Sequence, residues 1–203
     1  MTEVEQGVSR SQFIRNAAKG SVMLVGAGGV LATMDGVAFA KTTKSDITVL
    51  QTGYIAETLA VAVYGAILKT YYAKFKLGNR DYFVAAYKDE KAHQKAWKDA
   101  LGKHTPTGFK LTVPHKYVAS KKALLATGIA LEEAFVATYM GAVREFSSAD
   151  LKVTAAGVAA NEATHFSFID AAAGGHGVLP AFGPKAITAG MAAKTLTELG
   201  FLS

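Results

Sequence analysis

The chain has 203 residues, half of them apolar, no cysteine, and a formal charge of +6. Such a length suits one domain with a real core, and the lack of cysteine excludes disulfides, thiolate metal sites and iron–sulfur clusters. Any metal must then be held by histidine and carboxylate, a donor set suited to iron, manganese or zinc. Lys76, Lys88, Lys91, Lys95 and Lys98 read as a solvated face. Neither interleaved aromatics nor a nucleic-acid motif accompanies them, so no nucleic-acid partner is expected.

Residues 1–40 read as an export signal or N-terminal anchor. Ser9-Arg10-Ser11-Gln12-Phe13-Ile14-Arg15 leads into the glycine-rich apolar run from Gly20 to Leu31, and Ala38-Phe39-Ala40 offers a cleavage site. The n-region resembles a twin-arginine signal in which Ser11 stands where the second arginine belongs, leaving the route open between twin-arginine export, general secretory export and neither. Asp35 and the glycines argue against a membrane span, so membrane contact is expected only if this segment is retained. Localisation is therefore expected to be periplasmic or in the cell envelope. Residues 1–40 carry three charges of each sign, so the basic character belongs to the folded domain, residues 41–203.

Helical periodicity starts at Ser45, a candidate cap followed by Asp46, and runs to Leu77, where Gly78-Asn79 breaks it. A second helix is expected over 81–101, stopped by Gly102. The segment 102–118 differs from the rest, with Pro106, Gly108, Pro114 and the alternating Phe109-Lys110-Leu111-Thr112-Val113. At about 3.3 Å per extended residue it can run the length of a helix that rises only about 1.5 Å per residue. A third helix is expected over 120–146 and a fourth from the Ser148 cap to Ala173, ended by Gly174-Gly175. The tail holds Pro180, Pro184 and a short helix over 185–199, expected to lie across the bundle. The predicted fold is all-α: a four-helix bundle with one long crossover between helices 2 and 3, plus a short C-terminal helix.

Two copies of Glu-x-x-His occur, Glu90-Lys91-Ala92-His93 and Glu162-Ala163-Thr164-His165. Residues three apart share a helix face, so each copy can aim one carboxylate and one imidazole at an ion beside the helix. Glu57 and Glu132 precede them in apolar helical runs. The order Glu, Glu-x-x-His, Glu, Glu-x-x-His is that of dinuclear carboxylate bundles. Ala56 to Tyr64 also aligns with Leu131 to Tyr139, so the halves read as one helical hairpin duplicated. The duplication favours Glu132 over Glu133, because the same seven-residue interval separates Glu57 from Tyr64 and Glu132 from Tyr139.

Glu90 and Glu162 are the natural bridging carboxylates, His93 and His165 would each bind one ion as neutral imidazole, and Glu57 and Glu132 would be terminal ligands. Four carboxylates balance two divalent ions, whereas bare they would have to take up protons or admit water. Tyr64 and Tyr139 either hydrogen-bond a ligand or fill the core, core packing being the simpler reading. His104, His115 and His176 read as solvated loop residues. No catalytic serine arrangement, phosphate loop or dinucleotide fingerprint is present.

From Ser45 onward the chain resembles exported bacterial ferritin-like domain proteins of the desiccation-related kind. The residues that support this run from Leu50-Gln51 through Glu57 and Tyr64, then Glu90 to His93, Phe109 to Pro114, Ala130 to Glu133, Ala137 to Ala142, and Glu162 to His165. The chain departs from the family at Ala60, where members often carry a further glutamate. The resemblance implies a centre of two iron ions, or alternatively two manganese ions, that reacts with oxygen or peroxide. It implies a ferroxidase- or peroxidase-like role in oxidative-stress protection, and it is compatible with a homo-oligomer. The rival expectation is a non-catalytic stress-related or envelope-associated protein on the same scaffold.

Overall fold

The structure is a computed structural model that describes residues 42–203 apart from residue 182. The expected export segment, residues 1–40, lies outside the described residues. The main helices are α1 (Lys44–Ala66), α2 (Tyr72–Phe75), α3 (Arg80–Leu101), α4 (Lys121–Glu145), α5 (Ala149–Ala172) and α6 (Ala189–Glu198). Among the described residues there is no strand longer than a single bridge.

Helix α1 starts two residues earlier than its serine suggests. Thr43, not Ser45, is the cap: its hydroxyl accepts from the Asp46 amide at 3.2 Å, and Asp46 Oδ2 accepts from the Thr43 amide at 3.1 Å. This reciprocal pair is a capping box with aspartate in the usual glutamate position. Asp46 also accepts from the Ser147 amide at 2.7 Å and from its hydroxyl at 2.5 Å, so one buried carboxylate ties the start of α1 to the α4–α5 turn. Burial opposes its ionisation, but the bonds from Ser147 and Thr43 outweigh that and hold its pKa below the usual value.

After Ala66 the helix widens into one π turn, Ile67–Tyr71, before α2 completes it. Lys76 (φ 49°) and Asn79 (φ 48°) adopt the left-handed conformation that reverses the chain. Of the expected Gly78-Asn79 break, Asn79 makes the turn together with Lys76, and Gly78 is not at positive φ. Asn79 then caps α3 by accepting from the Tyr82 amide at 3.3 Å. Ser120 and Ser148 cap α4 and α5, accepting from the Ala123 and Leu151 amides.

Helices α1 and α3 form one hairpin and α4 and α5 the other, packed around a core that includes Leu50, Leu59, Phe83, Trp97, Tyr139 and Leu151. Each fully buried Leu or Phe contributes about 1.5–3 kcal/mol relative to exposure. Lys44–Phe75 and Lys121–Glu145 are long and apolar enough to cross a membrane, but about half of each such window is buried inside the bundle. That is how core helices of a bundle behave.

The crossover shows its strand-like sequence in one place. Leu111 makes an antiparallel bridge to Leu202, with Lys110 and Ser203 exchanging amide-to-carbonyl bonds of 2.9 and 3.1 Å. Tyr117 stacks on Phe201 with ring centroids 4.8 Å apart. Helix α6 is shorter than expected and lies against α1 and α4. Its approach is fixed where the Ile187 amide donates to Ala137 O at 3.1 Å, over the bare Cα of Gly141.

Candidate metal centre

Each long helix delivers its polar residues to one buried point. Glu57 comes from α1, Glu90 and His93 from α3, Glu132 from α4, and Glu162 and His165 from α5. All six are between 0% and 4% exposed, in a core otherwise built of aliphatic and aromatic side chains. Glu133 is exposed, whereas Glu132 is buried in the cluster. His104, His115 and His176 are exposed, as expected of loop histidines.

His93 Nδ1 lies 3.0 Å from Glu162 Oε1 and 3.6 Å from both Glu57 Oε2 and Glu90 Oε2. His165 Nδ1 lies 2.9 Å from Glu90 Oε1, 3.0 Å from Glu162 Oε2 and 3.9 Å from Glu132 Oε2. Two overlapping sets of donors result: Glu57, Glu90, His93 and Glu162, and Glu90, Glu132, Glu162 and His165. Within each set the donor atoms all lie within 4.8 Å of one another. Glu90 and Glu162 belong to both.

The outer carboxylates are held by tyrosines from the opposite half. Tyr64 on α1 donates to Glu132 Oε1 at 2.5 Å, and Tyr139 on α4 donates to Glu57 Oε1. Both tyrosines are therefore more than core filling, the simpler of the two roles expected of them. Each bond occupies one carboxylate oxygen and leaves the other, Glu132 Oε2 or Glu57 Oε2, buried without a hydrogen bond. Glu90 Oε1 and Oε2, Glu162 Oε1 and His93 Nδ1 are orphaned in the same way. The 3.0 Å approach of His93 Nδ1 to Glu162 Oε1 is thus a close contact without hydrogen-bond alignment. Orphaned buried polar atoms are costly, and six lone-pair atoms converging in an apolar interior are what a cation would satisfy.

The family comparison agrees with the geometry. Residues 45–175 match the family described as ferritin-like domain. The chain belongs to the ferritin-like family. No curated protein matches it.

Without metal, this ferritin-like cluster must share protons. Burial pushes Glu57 up to about 7, with nearby His93 opposing the rise, and burial together with the charges of Glu162 and Glu90 pushes Glu132 well above the usual carboxylate range. Burial also disfavours ionised Glu162, but the His93 charge and the His165 bond outweigh it, so Glu162 stays below its ordinary value. Both histidines are raised despite burial, His93 chiefly by Glu162 and His165 by Asp89, Glu162 and Glu90. A cation must therefore displace protons from imidazolium and carboxylic acid as it enters.

Three contributors have no role in the motif reading. Trp97 Nε1 donates to the Tyr139 hydroxyl at 3.0 Å, fixing the tyrosine that holds Glu57. The Tyr82 hydroxyl donates to His165 O at 3.1 Å. Asp89 Oδ2 lies 3.5 Å from His165 Nε2. Trp97 and Tyr82 look like core aromatics in sequence, whereas Asp89 stands directly before Glu90 in the repeated motif, and that adjacency was its only signal.

Proposed function

We propose that this ferritin-like chain holds two metal ions, iron first and manganese as the alternative, and that it oxidises ferrous iron or consumes peroxide outside the cytoplasm. The reading rests above all on the two overlapping donor sets that share Glu90 and Glu162. The exported location rests on residues 1–40 alone.

The side chains divide the work. His93 and His165 present Nδ1 to the cluster, Glu90 and Glu162 face both histidines, and Glu57 and Glu132 each offer the one oxygen that Tyr139 or Tyr64 leaves free. Two bound iron ions would supply one electron each to oxygen or peroxide. The tyrosines orient the outer carboxylates, and the burial of all six donor residues keeps bulk water out.

The test is metal content, followed by anaerobic Fe(II) loading and exposure to oxygen or peroxide. Two ions per chain and Fe(II) oxidation well above the free ion are expected, with His93→Ala plus His165→Ala abolishing both. Two bound ions without accelerated oxidation would sink the enzymatic reading.

That result would favour a second one, in which the ions staple the bundle. The observation behind it is that all four long helices contribute donors, so metal binding links both hairpins and stabilises the fold by mass action without turnover.

A further inference from the structure

We propose that the two halves of the centre are unequal, so that ions load in order: the position formed with His165 fills first and the position formed with His93 second. This rests on the reading above that the cluster holds metal. The asymmetry comes from the residue immediately before each Glu-x-x-His. It is Asp89 in the first copy and Asn161 in the second.

The hairpin duplication makes the two positions equivalent, but their chemistry differs. His165 presents Nδ1 to Glu90 and Glu162 at 2.9 and 3.0 Å, while Asp89 Oδ2 faces its other nitrogen, Nε2, at 3.5 Å. A carboxylate there holds a proton on Nε2, so the proton an entering ion displaces is the one on Nδ1, and the imidazole that remains is a stronger donor. The carboxylates that approach His93, from Glu57, Glu90 and Glu162, all lie on its Nδ1. Among the described residues none is within ion-pair distance of His93 Nε2. Asn161, in the place of Asp89, carries no charge, and its Oδ1 is buried without a hydrogen-bond partner.

Packing adds to the difference. The His165 ring sits edge-on to Tyr64 at 5.9 Å and to Tyr82 at 6.2 Å between centroids, and Tyr82 is itself stacked on Phe168. Among the described residues His93 has no such ring contact. One imidazole is therefore clamped and charge-backed, and the other is neither. Pre-organised ligands lose less freedom when an ion arrives.

The experiment titrates metal-stripped full-length protein with Co(II) under anaerobic conditions, following visible absorption and heat. Wild type is expected to bind two ions in separable steps. Asp89→Asn, which keeps size and an acceptor oxygen, is expected to weaken the tighter step by about 10–100-fold and leave the weaker one in place. Asn161→Asp is expected to strengthen the weaker step, bringing the two together. His165→Ala should delete the tight step and His93→Ala the weak one. Two indistinguishable steps in wild type, or equal effects of Asp89→Asn on both ions, would overturn the ordered loading while leaving the metal reading intact. No Co(II) binding by folded wild type would overturn both. Melting curves of the metal-free variants separate lost ligation from lost fold.

Discussion

Tyr64 and Tyr139 show how a single hydroxyl couples the two halves of the bundle. Each reaches across to the outer carboxylate of the other hairpin, Tyr64 to Glu132 and Tyr139 to Glu57. The cross-bracing satisfies one oxygen of each acid and leaves the other facing the cluster, so the orientation of these carboxylates depends on inter-hairpin packing rather than on either hairpin alone. Substituting Tyr64→Phe keeps the ring and leaves Glu132 Oε1 buried without its donor. The metal-free variant is expected to lose about 1–3 kcal/mol, read as a lower urea midpoint with an unchanged slope. An unchanged midpoint would mean that the hydroxyl neither orients nor satisfies Glu132. The spacing that pairs these tyrosines with Glu57 and Glu132 is visible in the chain. Which acid each one reaches is not, because that depends on how the hairpins face each other.

At the scale of elements, the four long helices are legible because local signals agree: serine caps at Ser120 and Ser148, helical periodicity between them, and glycines after the ends. The π turn at Ile67–Tyr71 has no such signal, since the run ILKTY contains no glycine or proline and the apolar spacing continues through it. The tail is the least legible part. Its attachment includes the bridge between Leu111 and Leu202 and a backbone bond over Gly141, contacts between segments far apart in sequence. A Cβ built on Gly141 would overlap the carbonyl oxygen of Ile187, a backbone atom that cannot swing away like a side chain. Gly141→Ala is therefore expected to cost about 1–3 kcal/mol. It should also open the segment before α6 to limited proteolysis while α1, α3, α4 and α5 stay protected. Equal protection of the tail in the variant and wild type would show that this close approach does not anchor it.

For the whole molecule, the duplicated motif made the centre legible before any fold was known: two Glu-x-x-His copies and two upstream acids are enough to place donors on four helices. Its proton balance needed the structure, because burial and inter-helix charges set it. Glu57 is raised from 4.5 to about 7 and Glu132 is raised as well, so folding without metal takes up protons at these acids. His93 and His165 are raised above 6.5 and act in the same sense, since a group with a raised folded pKa contributes stability that is lost as pH rises through that value. Glu162 and Asp46 are lowered, and their contribution is present above the ordinary carboxylate range and lost only in acid. Between about pH 5 and about pH 8 the unfolded carboxylates and imidazoles give up protons that the folded cluster retains, Glu57 until about pH 7, so the metal-free protein is expected to lose stability as pH rises. Metal binding must expel those same protons and strengthens in that direction. Melting temperatures of metal-stripped and metal-loaded protein across this window should therefore diverge as pH rises, the first falling while the second holds or climbs. A metal-free melting temperature that rose steadily toward pH 8 would show that the buried acids and imidazoles do not share protons in this way.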